Sequence, residues 1–223
     1  MRRPWLVVDC YVEEPGSGAD NFLPHLTDRE VVVAQAVRAL PLDDPGRFGG
    51  VVITGSAAGV NDGLDWVDGL VDFVRRAVTD RVPVLGVCFG HQVLAQAVLG
   101  PGAVRTARRP EVGWFPITHR GTAPLLRDFP RTFTTFLSHH DEVDPSHAEM
   151  LTVFASSERC SVQGYQVSGC RAWGVQFHAE MALEEASAVV QCQAPSPEEV
   201  VSRAVDSAPL IAGLMRRFVE ATG

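Results

Sequence analysis

Apolar residues fall along this chain in two patterns. Some runs are short and apolar throughout: "WLVVDCYV" (5–12), "VVIT" (51–54) and "VPVLGV" (82–87). Each is bounded by turn formers, and each is predicted to be a strand covered on both faces. "EVVVAQAV" (30–37) carries three consecutive valines, whose branched Cβ atoms favour strand. Other runs repeat every three to four residues. In "LDWVDGLVDFVRRAV" (64–78), Leu64, Val67, Val71, Val74 and Val78 share one face, which predicts an amphipathic helix. "HQVLAQAVL" starts a second helix directly after the strand at 82–87. "EEPGSGADN" (13–21), "PLDDPGRFGG" (41–50) and "GSAAGVNDG" (55–63) read as loops. Apolar strands alternating with helices predict an α/β fold, a mostly parallel open sheet flanked by helices.

The pattern changes from about residue 103 to 178. "VGWFPITH", "TFTTFLSHH", "LTVFAS", "SVQGYQV" and "CRAWGVQFH" are short runs of a strand-rich, partly antiparallel half. Helical spacing returns in a tail from about 183 to 223, in "LEEASAVVQ" (183–191), "SPEEVVSRAV" (196–205) and "PLIAGLMRRFVEA" (209–221). Ser196 is placed to cap the second of these, with Pro197 next and Glu199 three residues on. Without a repeat or a linker, residues 1–223 are expected to form one domain.

The junction "GVCFG" (86–90) is where composition meets chemistry. A strand that enters a helix through a sharp turn presents the turn residue above the C-terminal edge of the sheet. Glycines two residues to either side, Gly86 and Gly90, allow the close backbone approach. This is the spacing of a nucleophile elbow, with Cys88 at its tip. The positive end of the following helix favours a thiolate, and the N–H of Phe89 is free for an oxyanion. A base and its orienter are supplied by "WGVQFHAE" (173–180). On extended backbone His178 and Glu180 project to the same side, so Glu180 can hold one imidazole nitrogen while the other faces Cys88. "ITGSAAGVND" (53–62) is another strand-end loop, and parallel strands deliver such loops to one edge. Gly55 and Ser56 can therefore stand beside Cys88, with Ser56 as a second oxyanion donor.

Bulk composition removes competing chemistries. The net charge of −8 argues against a nucleic-acid or anionic-membrane partner. All 19 basic residues are arginine, which excludes a Schiff-base lysine and a phosphate-loop lysine. Five irregularly spaced cysteines make neither a disulfide framework nor a zinc site. With no leader pattern and no apolar run of membrane length, a reducing, cytoplasmic setting is expected. Cys10, Cys160, Cys170 and Cys192 read as small buried hydrophobes. His139, His140, Asp141 and His147 form a candidate metal cluster, but adjacent histidines rarely chelate one ion, so no metal and no cofactor are expected. "RTARRPE" (105–111) reads as a solvated face or a partner contact.

"GVCFGHQ", "GVQFHAE" and "ITGS" together resemble the class I (triad-type) glutamine amidotransferases, and "LSHHDEV" (137–143) resembles the segment lining that family's glutamine pocket. The order and spacing match over about residues 5–182. "EVGW" (111–114) and "ITGSAAGVND" look most like the stand-alone branch related to the amidotransferase domain of GMP synthetase. The resemblance implies a flavodoxin-like sheet and a division of labour. Cys88 would attack the γ-carboxamide of glutamine, with His178 as acid and base and Glu180 as its orienter. The amides of Ser56 and Phe89 would hold the oxyanion. Gly55 and Gln92, with Ser138, His139, His140 and Asp141, would hold the substrate. The chain departs from the family twice. Ala179 stands where proline is usual, and Ser56 stands where a second glycine is usual, a strain if that position needs positive φ. The implied function is a glutaminase subunit that feeds ammonia to a separate synthetase. The same triad would also serve a γ-glutamyl peptidase, and a non-catalytic regulatory member is the third reading.

Overall fold

A computed structural model of the chain describes residues 3–12, 17–38 and 44–222. Parts of two expected loops, 13–16 and 41–43, lie outside the described residues. The strands are β1 (Trp5–Asp9), β2 (Val31–Gln35), β3 (Val51–Ile53), β4 (Val84–Val87), β5 (Val104–His119), β6 (Thr132–Val143), β7 (Leu151–Ser156), β8 (Gly164–Val167) and β9 (Ala172–Val175). The helices are α1 (Asp65–Thr79), α2 (Phe89–Leu99), α3 (Leu183–Gln193), α4 (Pro197–Val201) and α5 (Ala208–Thr222). The strands join one nine-stranded sheet in the order β2-β1-β3-β4-β9-β8-β7-β5-β6.

The sheet divides as the apolar patterns predict. β2, β1, β3, β4 and β9 are mutually parallel and almost wholly buried, apart from the edge strand β2. Beyond β9 the pairings are antiparallel. The parallel half is covered on both faces. Val67, Leu70, Val74 and Ala77 of α1, with Val93 and Leu94 of α2, pack on one face. Leu214, Met215 and Phe218 of α5 pack on the other, together with Phe22 and Leu26. Phe218 sits edge-on to two tryptophans, with ring centroids 5.4 Å from Trp5 and 5.9 Å from Trp173. Such pairs add about 0.5–1.5 kcal/mol beyond burial.

Several expectations are corrected. Leu64 precedes α1 and is exposed, because the helix starts at Asp65 and directs Leu70 and Phe73 inward instead. The arginine-rich run 105–111 does present a solvated face, but it is also strand, the first half of β5. Arg105 pairs with Glu142 at 2.9 Å and Asp144 at 3.4 Å, while Arg108 and Arg109 are exposed. A register shift between Thr106 and Glu111 lets the strand carry that run past its partner β6. Ser196 makes no side-chain cap, and α4 stops at Val201 rather than running to 205. Cys10 and Cys160 are buried, but Cys170 is half-buried and Cys192 exposed; all five thiols are free.

The elbow needs its glycines for contact, not for freedom alone. A Cβ on Gly90 would collide with the carbonyl oxygen of Ile53, and one on Gly86 with that of Gly90. Gly90→Ala is therefore expected to unfold the chain or lower its melting temperature sharply. Gly69, exposed on α1 with no atom near its missing Cβ, behaves oppositely. Gly69→Ala is expected to add about 1 kcal/mol of helix stability. Thermal unfolding of the two variants beside the parent chain checks both signs.

Candidate active site

Four strand-end loops meet at the C-terminal edge of the parallel sheet, the usual ligand position in open α/β sheets. Cys88 lies between β4 and α2 at φ +50°, ψ −103°, well outside the regions open to a side-chain-bearing residue. Neighbouring strand ends hold it there. Its N–H donates to the Val175 carbonyl of β9 at 2.9 Å, and the N–H of Gly90 donates to the Thr54 carbonyl after β3 at 3.2 Å. The thiol donates weakly to the Ser138 carbonyl of β6 at 3.6 Å.

His178 follows β9 and is anchored by its backbone. Its N–H donates to the Phe136 carbonyl at 2.9 Å, and its carbonyl accepts from the Thr135 hydroxyl at 3.0 Å. Its Nδ1 donates to Glu180 Oε1 at 2.6 Å, both side chains being nearly inaccessible to water. Ala179 thus supports the geometry where the family usually has proline. Burial pulls the His178 pKa down, but the Glu180 carboxylate and the Cys88 sulfur outweigh it and hold the imidazolium well above the usual histidine range. The elbow's own neighbour, His91, is different. It is fully buried against Tyr165, and burial lowers its pKa to about 3, so it stays neutral in the core.

Gly55 forms the floor between the two side chains. A Cβ there would stand 3.1 Å from His178 Cε1 and 3.7 Å from Cys88 Cβ. Ser56 has negative φ, so serine is unstrained in the place of the usual glycine, and its hydroxyl accepts from the Ala58 N–H at 3.1 Å. Among the described residues, neither the Ser56 nor the Phe89 N–H is spent on a backbone carbonyl outside its own element.

Cys88 stands where two cavities adjoin. The larger, about 370 Å³, is polar and includes Asp62, Gln92, His140 and Asp141. The smaller, about 190 Å³, is walled by Tyr11, Val12, Met181 and Val189 and is the one that His178 lines. Gln92 reaches the polar cavity with both amide hydrogens engaged, to the Asp141 carbonyl at 3.0 Å and Gln176 at 3.1 Å, so its Oε1 is left for a ligand. The hydroxyl of Ser138 donates to Gln193 at 2.9 Å. His139 and His140 part company. His140 is exposed, whereas the His139 ring is buried between Glu111, 3.0 Å from Nε2, and the Asp141 carbonyl, 3.0 Å from Nδ1. His147 points to Ser146 on the surface, so the histidines of the candidate metal cluster diverge.

Sequence reasoning misses three groups here. Tyr11 and Glu185 are bonded at 3.3 Å, and Asn21 braces Glu185 at 3.0 Å. Met181 and Val189 carry no chemical signal in sequence. Glu111, inside "EVGW", is legible only as part of a resemblance, yet it collects His139, Ser157 and Gln163 in a buried cluster.

No helix among the described residues is long and apolar enough to cross a membrane. A family model described as glutamine amidotransferase class-I matches residues 28–191. One subunit of the glutamine-hydrolyzing GMP synthase of Ignicoccus hospitalis is 34% identical over 153 residues, covering 68% of this chain and 77% of that protein. The corresponding GMP synthase subunit of Sulfolobus acidocaldarius is 37% identical over 136 residues, covering 60% of this chain and 68% of that protein. The crystal structure of a glutamine amidotransferase from Thermotoga maritima is similar in fold, with a TM-score of 0.81 at 20% identity over 100% of this chain and 99% of that one. The strand order, the elbow sequence and these likenesses agree: the chain belongs to the class-I glutamine amidotransferases.

Proposed function

We propose that this chain is a glutaminase subunit, one amidotransferase domain with a helical tail, that hydrolyses the γ-amide of glutamine and passes ammonia to a separate synthetase. The observation that carries this reading is the position of Cys88, strained at the elbow, beside the buried His178–Glu180 pair and between two cavities. The Cys88 thiolate attacks the γ-carbonyl carbon, and the N–H groups of Ser56 and Phe89 receive the oxyanion. As the intermediate collapses, the C–N bond breaks and the His178 imidazolium gives its proton to the departing ammonia. His178, now neutral, takes a proton from water, which attacks the γ-glutamyl thioester and releases glutamate. Glu180 keeps the ring oriented and favours its charged form.

The polar cavity suits the amino-acid end of glutamine. Asp62 and Asp141 face the α-ammonium, His140 faces the α-carboxylate, and Gln92 Oε1, Gly55 and the Ser138–Asp141 strand complete the wall, with His139 bracing it from behind. The relatives at 34% and 37% identity are themselves subunits of glutamine-hydrolyzing GMP synthases, which supports a separate acceptor enzyme. The same machinery would cleave a γ-glutamyl amide of a larger amine, and the cavity on the His178 side favours that second reading.

Cys88→Ala is expected to lower glutamate release from glutamine by about 10³-fold or more, since residues that act as a unit fail together. Full activity in that variant would refute the thioester route. The raised His178 pKa sets the pH dependence. The proton donor is present through neutral pH and is lost only as pH rises through that elevated value. Glu180→Gln removes the carboxylate that raises it, so the alkaline limb of kcat/KM should move to lower pH. An unmoved limb would show that another group carries the proton.

A further inference from the structure

The leaving group of an amide hydrolysis departs toward the group that protonates it. His178 lines the smaller cavity and not the polar one, so the amine half of the substrate lies on the smaller cavity's side of Cys88. Released ammonia is about the size of water, which takes roughly 30 Å³ in the liquid. A cavity of about 190 Å³ has room for a substituent of several heavy atoms.

Its walls say which substituent. Val12, Ala57, Met181 and Val189 are aliphatic, and no arginine lines it among the described residues. Beside Cys88 and His178, the polar side chains are Tyr11, Ser56, Ser138 and Gln193, none of them a cation. The Tyr11 hydroxyl is already spent on Glu185 at 3.3 Å, and burial raises its pKa, with the carboxylates of Glu185 and Glu180 adding to the effect. A carboxylate on the amine half would therefore meet hydrocarbon and negative charge, and the cation that lines the cavity among the described residues, the His178 imidazolium, is already paired with Glu180 at 2.6 Å. An unpaired charge taken out of water is strongly disfavoured, whereas an alkyl chain gains by burying its surface.

We infer that the cavity between Tyr11, Val12, Met181 and Val189 is an amine subsite, and that γ-glutamyl alkylamides are substrates of this chain beside glutamine. The inference rests on the roles of Cys88 and His178 proposed above. The chemistry balances without a further reactant. The Cys88 sulfur bonds to the γ-carbon, and the C–N bond breaks with its electron pair going to nitrogen. His178 supplies the proton that makes the alkylamine, and water then cleaves the thioester to glutamate. The net reaction is amide plus water to glutamate plus alkylammonium.

The test is glutamate release by the purified chain from glutamine, γ-glutamyl-n-butylamide and γ-glutamylglycine, compared as kcat/KM. The butylamide should be cleaved at least as well as glutamine and at least about tenfold better than γ-glutamylglycine, the scale of discrimination a few buried methylenes supply. Val189→Phe, which fills the cavity from α3, should lower the butylamide-to-glutamine ratio about tenfold. The substrate series in the parent chain stands without that variant if it folds poorly. Cleavage of glutamine with none of the butylamide overturns the amine subsite and leaves the glutaminase reading intact. γ-Glutamylglycine cleaved as well as the butylamide overturns the apolar selectivity. Glutamate from none of the three, with no γ-glutamyl adduct on Cys88 by mass spectrometry of the intact chain, overturns the parent reading and the subsite with it.

Discussion

Everything at this site depends on one backbone conformation, that of Cys88 at φ +50°, ψ −103°. Such a residue costs about 1–3 kcal/mol and persists only where its surroundings over-determine it. Here they do. The carbonyls of Thr54 and Val175, from the two strands flanking β4, accept the N–H groups of Gly90 and Cys88. Helix α2 can come close enough for this only because Gly86 and Gly90 lack side chains. The sulfur is thereby placed by strands buried at the centre of the sheet. Its direction does not depend on the loops around it.

Buried charge is the second constraint. His178 and Glu180 are out of water, and a lone ion there would neutralise itself. The pair survives because each supplies the other's counter-charge and because Thr135 and Phe136 fix the His178 backbone. A parallel pair lies under the polar cavity. Glu111 on β5 faces His139 on β6 and also accepts from Ser157 and Gln163. His139 in turn touches the Asp141 carbonyl, which also receives Gln92 from α2. The two sides of Cys88 are thus stiffened alike, by histidine–carboxylate contacts that reach from the sheet to the rim.

The parallel half is legible in sequence because its strands are apolar on both faces and its helix α1 has a clean period. The elbow is legible because chemistry and geometry share five consecutive residues, Gly86 to Gly90. The antiparallel half is harder. β5 runs for 16 residues, but its first half is arginine-rich and carries a proline, so only "VGWFPITH" reads as strand. The helical spacing overextends α4, because Val205 keeps the period yet ends exposed with nothing to pack on. The neighbours His139 and His140 look equivalent in sequence. Alternation along β6 sends them to opposite faces, one to Glu111 and one to solvent. Tyr11, Met181 and Val189 leave no trace in the sequence, since their role exists only once α3 lies over the sheet edge.

On the proposed reading, that helix separates chemistry from selectivity. α3 is fastened by Ala186 and Val190, which pack with Trp114, Phe136 and Met181 in a small core of their own. On a neighbouring stripe, Val189, partly buried against the same core, and Gln193 face the cavities. Neither contributes to the backbone bonds that hold Cys88 and His178, although Gln193 accepts from Ser138 on β6. On the same reading, substitution of Val189 reshapes the smaller cavity without touching the residues of the elbow or the His178–Glu180 contact. If the roles proposed above hold, the sheet therefore constrains the reaction, and the cavity face of α3 constrains which amine can leave.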